Sequence, residues 1–304
     1  MILSVILVNY KQPDQTIDCV RSLDRSTFQD FQTIIVDNES DLASEEKLRG
    51  HCPNAVVIPV AQNLGFAGAN NIGIRFAIES GSKLVLLLNN DTVVHKELLE
   101  ELVETAEEDK STGVVGGKIF YFDKPDTLWF AGGRLNIHKA LGTHEGIGIK
   151  DDGSFNLMKE SDYMTGCCLL TKREVVEKIG LLDTRFFLYL EDADFCVRAK
   201  DAGYNIIYQP KAIVYHKVSS STQWDSPVYI YFSLRNKILF LRKHSSFSLW
   251  ARYSPYLMYF YLRQFARLIF KWHNFRAARA AFLGMLDGLR NSTGRDGEGS
   301  LHRL

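Results

Sequence analysis

Short continuous apolar runs alternate along this chain with stretches whose apolar residues recur every three or four positions. Ser4–Val8, Phe31–Val36, Ala55–Val60 and Leu84–Leu88 are runs of the first kind, the pattern of strands buried on both faces of a sheet. Between them, Pro13–Asp24 places Ile17, Val20 and Leu23 on one helical face, and Ala67–Ser80 reads as a helix stopped by Gly81. Repeated strand–helix–strand units predict an α/β fold, a mostly parallel sheet flanked by helices with right-handed crossovers. His95–Glu108 is the next helix, and Val114–Phe120 continues the sheet. Asp123–Lys159 is Gly-rich and irregular, which predicts hairpins and a mobile loop. Beyond it, Tyr163–Leu170 reads as a strand, Lys172–Ile179 as a short helix, Ala193–Ala202 as a helix and Asn205–Val214 as a pair of strands.

After Ser219-Ser220-Ser221-Thr222 the pattern changes. Tyr229–Lys243, Trp250–Trp272 and Phe275–Leu289 read as helices rich in Tyr, Phe, Leu and Arg, and the polar tail Asn291–Leu304 is expected to fray. The pattern predicts a catalytic-type α/β domain over residues 1–222 and a helical extension over 223–304. Charge divides the same way. From Asp225 onward there are 13 Lys and Arg against 4 Asp and Glu, and before it 23 against 32, so a formal net charge of zero conceals +9 and −9. Apolar content of 46% is that of an ordinary globular chain with a full core. Five cysteines, Cys19, Cys52, Cys167, Cys168 and Cys196, show no zinc-type spacing, and the adjacent pair sits in an apolar run as small buried hydrophobes. The N-terminus has no basic leader and reads as a first strand, so a reduced, cytoplasmic setting is expected.

The candidate chemistry lies where strands end. Asn9-Tyr10, Asp37-Asn38 and Asn89-Asn90-Asp91 each follow an apolar run, and Asn and Asp are turn residues anywhere. In an open α/β sheet, however, ligands bind outside the carboxyl ends of the strands. Asp91 is then either a cap of the helix around His95–Glu108 or a hard ligand for Mg²⁺ or Mn²⁺ bound to a diphosphate. Asn63–Asn71 is a Gly/Asn loop running into a helix, where small residues let backbone N–H groups approach a phosphate or sugar. No Gly-x-Gly-x-x-Gly follows the first strand and no Gly-Lys-Ser/Thr loop exists, which argues against a dinucleotide-binding or P-loop protein. Glu191, Asp192 and Asp194 crowd three carboxylates behind the apolar stretch Phe186–Leu190. Helix-dipole enrichment accounts for acids in a first turn, while a carboxylate flanked by aromatics is placed for partial desolvation and general-base work. His216 closes an apolar strand and is read as facing the same site.

Taken together, Ser4–Tyr10, Val36–Ser40, Asn63–Asn71, Leu88–Thr92, Thr165–Leu170, Glu191-Asp192 and His216 resemble a family 2 nucleotide-sugar glycosyltransferase of the GT-A fold, most of all its rhamnosyltransferase-type branch. The resemblance covers about residues 1–245. It implies that Tyr10 packs on the nucleotide base, that Asp37 with Asn38 contacts base or ribose, and that Asn63, Gly65 and Asn90 line the nucleotide-sugar. It further implies Thr165 and Gly166 in the sugar and acceptor pocket, Asp91 and His216 on the divalent ion, and Asp192 as base with Glu191 as runner-up. The first aspartate of the family's aspartate-x-aspartate motif is Asn89 here, an amide and a poorer cation ligand. The Gln-x-x-Arg-Trp motif of processive synthases is absent, since Leu268 follows Gln264–Arg267. The expectation is therefore inverting, single-sugar transfer from dTDP-L-rhamnose, with a UDP-sugar as the alternative, to a glycan or polyprenyl-diphosphate-linked acceptor in polysaccharide synthesis. A sugar nucleotidyltransferase would need a Gly- and Arg/Lys-bearing loop after the first strand, and a glycoside hydrolase would need no nucleotide edge. The aromatic and basic C-terminal helices predict peripheral attachment to an anionic inner-membrane surface, or packing on the protein or a second copy, and no nucleic-acid partner is expected.

Overall fold

The structure is a computed structural model and describes residues 2–218 and 226–292. It divides into two compact units: residues 1–134, 143–182 and 192–218 form the first, and residues 135–142, 183–191 and 219–304 the second. A single cut at 222/223 therefore does not reproduce the units, because two earlier stretches belong with the C-terminal helices. The cut itself and Ser219–Thr222 lie outside the described residues.

The first unit is built in chain order from β1 (Leu3–Asn9), α1 (Pro13–Leu23), β2 (Phe31–Asn38), α2 (Leu42–His51), β3 (Val56–Val60), α3 (Gly65–Glu79), β4 (Leu84–Asn89) and β5 (Thr92–Val94). It continues through α4 (Leu98–Glu108), β6 (Thr112–Tyr121), β7 (Lys124–Phe130), the ribbon strands β8 (Gly133–Asn136) and β9 (Leu141–His144), whose residues 135–142 fall in the second unit, then β10 (Lys159–Glu160), β11 (Cys168–Lys172) and α5 (Arg173–Ile179). The last elements are α6 (Glu191–Asp201) and β12 (Asn205–His216). One sheet runs in the order β10-β12-β6-β11-β4-β1-β2-β3, with β5 on β12 and β7 on β6. β4, β1, β2 and β3 are parallel, as their βαβ connections require, whereas β11 enters antiparallel between β4 and β6. The core sits on this sheet: Val5, Ile6, Leu7, Ile34, Ile35, Val85 and Leu86 are inaccessible to solvent.

Three local expectations are corrected. Residues 163–167 are not strand; the ladder begins at Cys168, because Thr165 turns the chain and its carbonyl accepts from the Cys168 amide at 3.1 Å. Asn205–Val214 is one strand extending to His216, not two, with a register break between Gln209 and Ile213 where Pro210 has no amide to give. Residues 92–94 form β5, and α4 starts only at Leu98. α2 was not legible, because among its residues only Leu48 is buried.

The second unit contains α7 (Pro227–His244), α8 (Phe247–Ala266), a single π-helical stretch over Arg267–Lys271, and α9 (Phe275–Arg290). The segment read as one helix over Trp250–Trp272 is thus α8 followed by the π stretch. Asn291 ends α9 in the left-handed region, and the tail beyond Ser292 lies outside the described residues. Tyr231 donates to Asp287 Oδ2 at 2.7 Å and Tyr261 to the Leu234 carbonyl at 2.6 Å, tying α9 and α8 to α7. From 226 to 292 Asp287 is the one acid, and it is buried. Met258, Tyr259, Leu262, Phe270 and Phe275 are exposed among exposed Arg252, Arg263, Lys271 and Arg276. No helix among the described residues is long and apolar enough to cross a membrane.

Candidate active site

Asn9 lies opposite Asp37, and Val8 opposite Asn89, on adjacent parallel strands. Strands of one direction carry their C-terminal residues to one edge, so all three polar clusters meet there. Asn9 is the buried hub. Its Nδ2 donates to Asp37 Oδ1 at 2.6 Å, and its Oδ1 accepts from the Thr16 hydroxyl at 2.8 Å, which in turn accepts from Asn90 Nδ2 at 2.9 Å. The Ser40 hydroxyl donates to Asp37 Oδ2 at 2.5 Å. A buried carboxylate needs such donors, and one for each oxygen leaves lone pairs over. Tyr10 is 43% exposed at this edge, with Lys11 Nζ 5.2 Å from its ring centroid and paired to Glu39 at 3.3 Å. Partial burial, then Glu39, pushes the Tyr10 phenol up.

Asn38 and Asn63 hold the Gly/Asn loop. Asn38 Nδ2 donates to Asn63 Oδ1 at 2.8 Å, Asn38 Oδ1 accepts from the Leu64 amide at 2.8 Å, and Asn63 Oδ1 accepts from the Gly65 amide at 2.9 Å. Gly65 has φ of 69°, a conformation glycine adopts without penalty, and it opens α3.

Asp91 follows β4 and precedes β5, whose Thr92 pairs with His216 at the end of β12. The Thr92 hydroxyl donates to the Asn89 carbonyl at 2.7 Å, and because α4 begins at Leu98 with Glu97 in its N-cap position, neither Asp91 nor Thr92 caps it. Asp91 Oδ1 and His216 Nε2 are 3.0 Å apart and both residues are buried. His216 Nδ1 is buried and without a hydrogen-bond partner. The imidazole stands edge-on to Trp129 at 4.6 Å, and Trp129 meets His144 at 4.5 Å. Burial pushes the His144 pKa down to about 4, so that ring is neutral near pH 7. A carboxylate oxygen beside an imidazole nitrogen is a hard and borderline donor pair that would suit a divalent cation. Among the described residues no three His, Cys, Asp or Glu side chains group to cage a metal. Phosphate and water oxygens would complete the shell, the usual situation for Mg²⁺.

Asp192 is fixed from the Thr165–Cys167 turn. The Gly166 amide donates to Asp192 Oδ2 at 2.9 Å and the Ala193 amide to Oδ1 at 2.7 Å. The Cys167 carbonyl accepts from the Asn89 amide at 3.0 Å, so the same turn borders the end of β4. A Cβ on Gly166 would lie 2.9 Å from Phe66 Cε1 and 3.7 Å from the Asp192 Cβ, which is why the position has none. Burial pushes the part-buried Asp192 carboxyl above the ordinary aspartate range. Asp194 is inaccessible and accepts from Arg198 Nε at 2.8 Å, a structural ion pair rather than a site group. Tyr10, Asp37, Asn38, Asn63, Gly65, Asn90, Asp91, Thr165, Gly166, Asp192 and His216 all belong to the first unit, whereas the buried Glu191 belongs to the second. Trp129 and Thr16 were missed from sequence, and Phe66 was read only as part of the Asn63–Asn71 loop.

The family model of glycosyl transferase family 2 matches residues 4–180, and the chain belongs to that family. It is a glycosyltransferase. Asp192 and His216 lie beyond the matched stretch. The chain is similar to a low-salt glycan biosynthesis hexosyltransferase of Haloferax volcanii, 27% identical over 96% of this chain and 92% of that one. It is also similar to a dTDP-rhamnosyl transferase of Shigella flexneri, 25% identical over 71% and 72%. Among solved structures it superposes on GalNAc-T7 with UDP, GalNAc and Mn²⁺ at a TM-score of 0.61 and 15% identity, over 77% of this chain and about half (47%) of that one. The likeness is one of GT-A fold.

Proposed function

We propose that this glycosyltransferase is inverting and non-processive, and that it moves one L-rhamnose from dTDP-L-rhamnose to a hydroxyl of a glycan or polyprenyl-diphosphate-linked acceptor in polysaccharide synthesis. One observation carries the reading: a desolvated carboxylate, Asp192, and a carboxylate–imidazole pair, Asp91–His216, are built around one sheet edge. That is the equipment for a hydroxyl nucleophile and a diphosphate leaving group.

Tyr10 packs on the base, Asp37 accepts from base or ribose through its remaining lone pairs, and the Asn63–Gly65 loop presents backbone amides to the donor. Asn90, locked to Thr16, orients toward the same edge. Thr165 and Gly166 border the acceptor pocket. Asp91 and His216 would hold Mg²⁺ or Mn²⁺, which would supply positive charge to offset that developing on the leaving diphosphate. Asp192 takes the proton of the acceptor hydroxyl. One base and no enzyme nucleophile support inversion, and the commitment of Asp194 to Arg198 leaves it no part in the chemistry. The rhamnose assignment is supported by the named activity of the Shigella relative. The exposed aromatic and basic surface of the second unit supports peripheral placement on an anionic cytoplasmic leaflet.

The test is a thermal-shift matrix of dTDP, UDP and GDP with Mn²⁺, Mg²⁺ or chelator. Ligand at ~100 times Kd adds ~2.7 kcal/mol to the native state. The expected result is the largest shift with dTDP plus metal; equal shifts with and without metal for every nucleotide would overturn the cation site.

A further inference from the structure

The second unit contains a backbone conformation that the chemistry above does not explain. In the turn before α6, Phe187, Tyr189 and Leu190 have φ of 65°, 72° and 70°, a region bulky L-residues seldom occupy. Such conformations persist only where the surroundings over-determine them, and they gather at functional sites.

The surroundings here are one stripe of α7. Asn236 Nδ2 faces three carbonyls of the turn, donating to Phe186 at 2.9 Å, Leu188 at 2.7 Å and Tyr189 at 2.8 Å. Arg235 is inaccessible to solvent, and its Nη2 donates to the carbonyls of Arg185 at 3.0 Å and Phe186 at 2.7 Å. Its Nε donates to Asn236 Oδ1 at 3.0 Å, which fixes the amide so that its nitrogen faces the turn. The guanidinium lies 4.7 Å from the Phe232 ring centroid, and Phe232 stacks on Phe187 at 5.0 Å. Tyr229 meets Tyr189 edge-on at 5.1 Å. Spacings of three and four residues put 229, 232 and 236 on one helical face.

A guanidinium and an amide taken out of water carry a large desolvation cost. Closing a loop does not require it, since glycine would adopt these φ values without help. The arrangement instead fixes one backbone path in a turn that runs directly into Glu191 and Asp192. We propose that Arg235 and Asn236 are positioning residues for the transfer reaction: they set the path of Phe186–Leu190, the segment that leads along the chain into Glu191 and Asp192. The proposal rests on Asp192 being the base.

The experiment compares Asn236→Ala and Arg235→Lys with the wild-type chain in three measurements. These are release of dTDP from dTDP-L-rhamnose, affinity for dTDP with Mn²⁺, and hydrogen exchange over residues 183–195. The lysine keeps the charge and loses the fork. Expected are a fall in kcat of at least ~10-fold, a dTDP affinity within about twofold of wild type, and faster exchange confined to 183–195. Wild-type kcat in folded variants would overturn the proposal. So would nucleotide affinity falling in step with kcat, or failure of both variants to fold, since either makes the pair general core. Asp192→Asn separates the two assignments. If it turns over normally the base is wrong, while the exchange measurement still reports whether the pair holds the turn.

Discussion

At Asp192 burial does two things at once. It raises the carboxyl pKa, and it places the group against the Gly166 and Ala193 amides, which favour the ionised form and hold it in one orientation. Only the ionised form accepts a proton. Turnover is therefore expected to fall as pH drops through a value above the ordinary ~3.9 of aspartate, with that limb read from a kcat/KM profile. Asp192→Asn should keep the fold and dTDP binding and lose at least ~10²-fold in turnover; near-wild-type turnover would remove Asp192 from the role. Gly166→Ala tests the same corner sterically. Its Cβ would stand 2.9 Å from the Phe66 ring, so a loss of ~1–3 kcal/mol in denaturant unfolding is expected. Partial recovery is expected in the Gly166→Ala, Phe66→Leu double variant. A Gly166→Ala chain as stable as wild type would show that the ring moves freely.

Elements decide which of these residues could be found from sequence. β1, β2 and β4 were legible because strands buried on both faces read as unbroken apolar runs, and a polar residue closing such a run has to sit at the sheet edge. That is how Asp37 and Asp91 stood out. α2 has no amphipathic face to read, and its signal was only Asp41, whose side chain accepts from the Ser44 amide at 2.7 Å. β11 was misplaced because Tyr163–Cys167 is as apolar as a strand and yet buried as a turn. Trp129 was illegible because contact with His216 depends on how β7 and β12 flank β6, a pairing no local pattern encodes. Arg235 carried no sequence signal of its role, because its burial depends on the carbonyls of Arg185 and Phe186 some fifty residues away. Asp91 and His216 end their strands instead of filling the core. Hence Asp91→Asn and His216→Ala should each leave the metal-free melting temperature within a few degrees and abolish the Mn²⁺-dependent part of the dTDP shift. A full Mn²⁺-dependent shift in His216→Ala would exclude the imidazole as a ligand.

Across the whole molecule, charge separates into −9 before residue 225 and +9 from there on, and the positive part also exposes Phe270 and Phe275. Phe270→Glu with Phe275→Glu in the full-length chain should reduce co-sedimentation with anionic vesicles at low salt, and raising the salt should reduce it for the wild type. Equal recovery of both forms in the supernatant would leave those helices without a lipid role. The proposed transfer by a single displacement has a stereochemical signature. With water as acceptor and dTDP-β-L-rhamnose as donor, early-time proton NMR should show α-L-rhamnose appearing first, before mutarotation. First appearance of β-L-rhamnose would contradict inversion by a single base, and no release of rhamnose would contradict the donor.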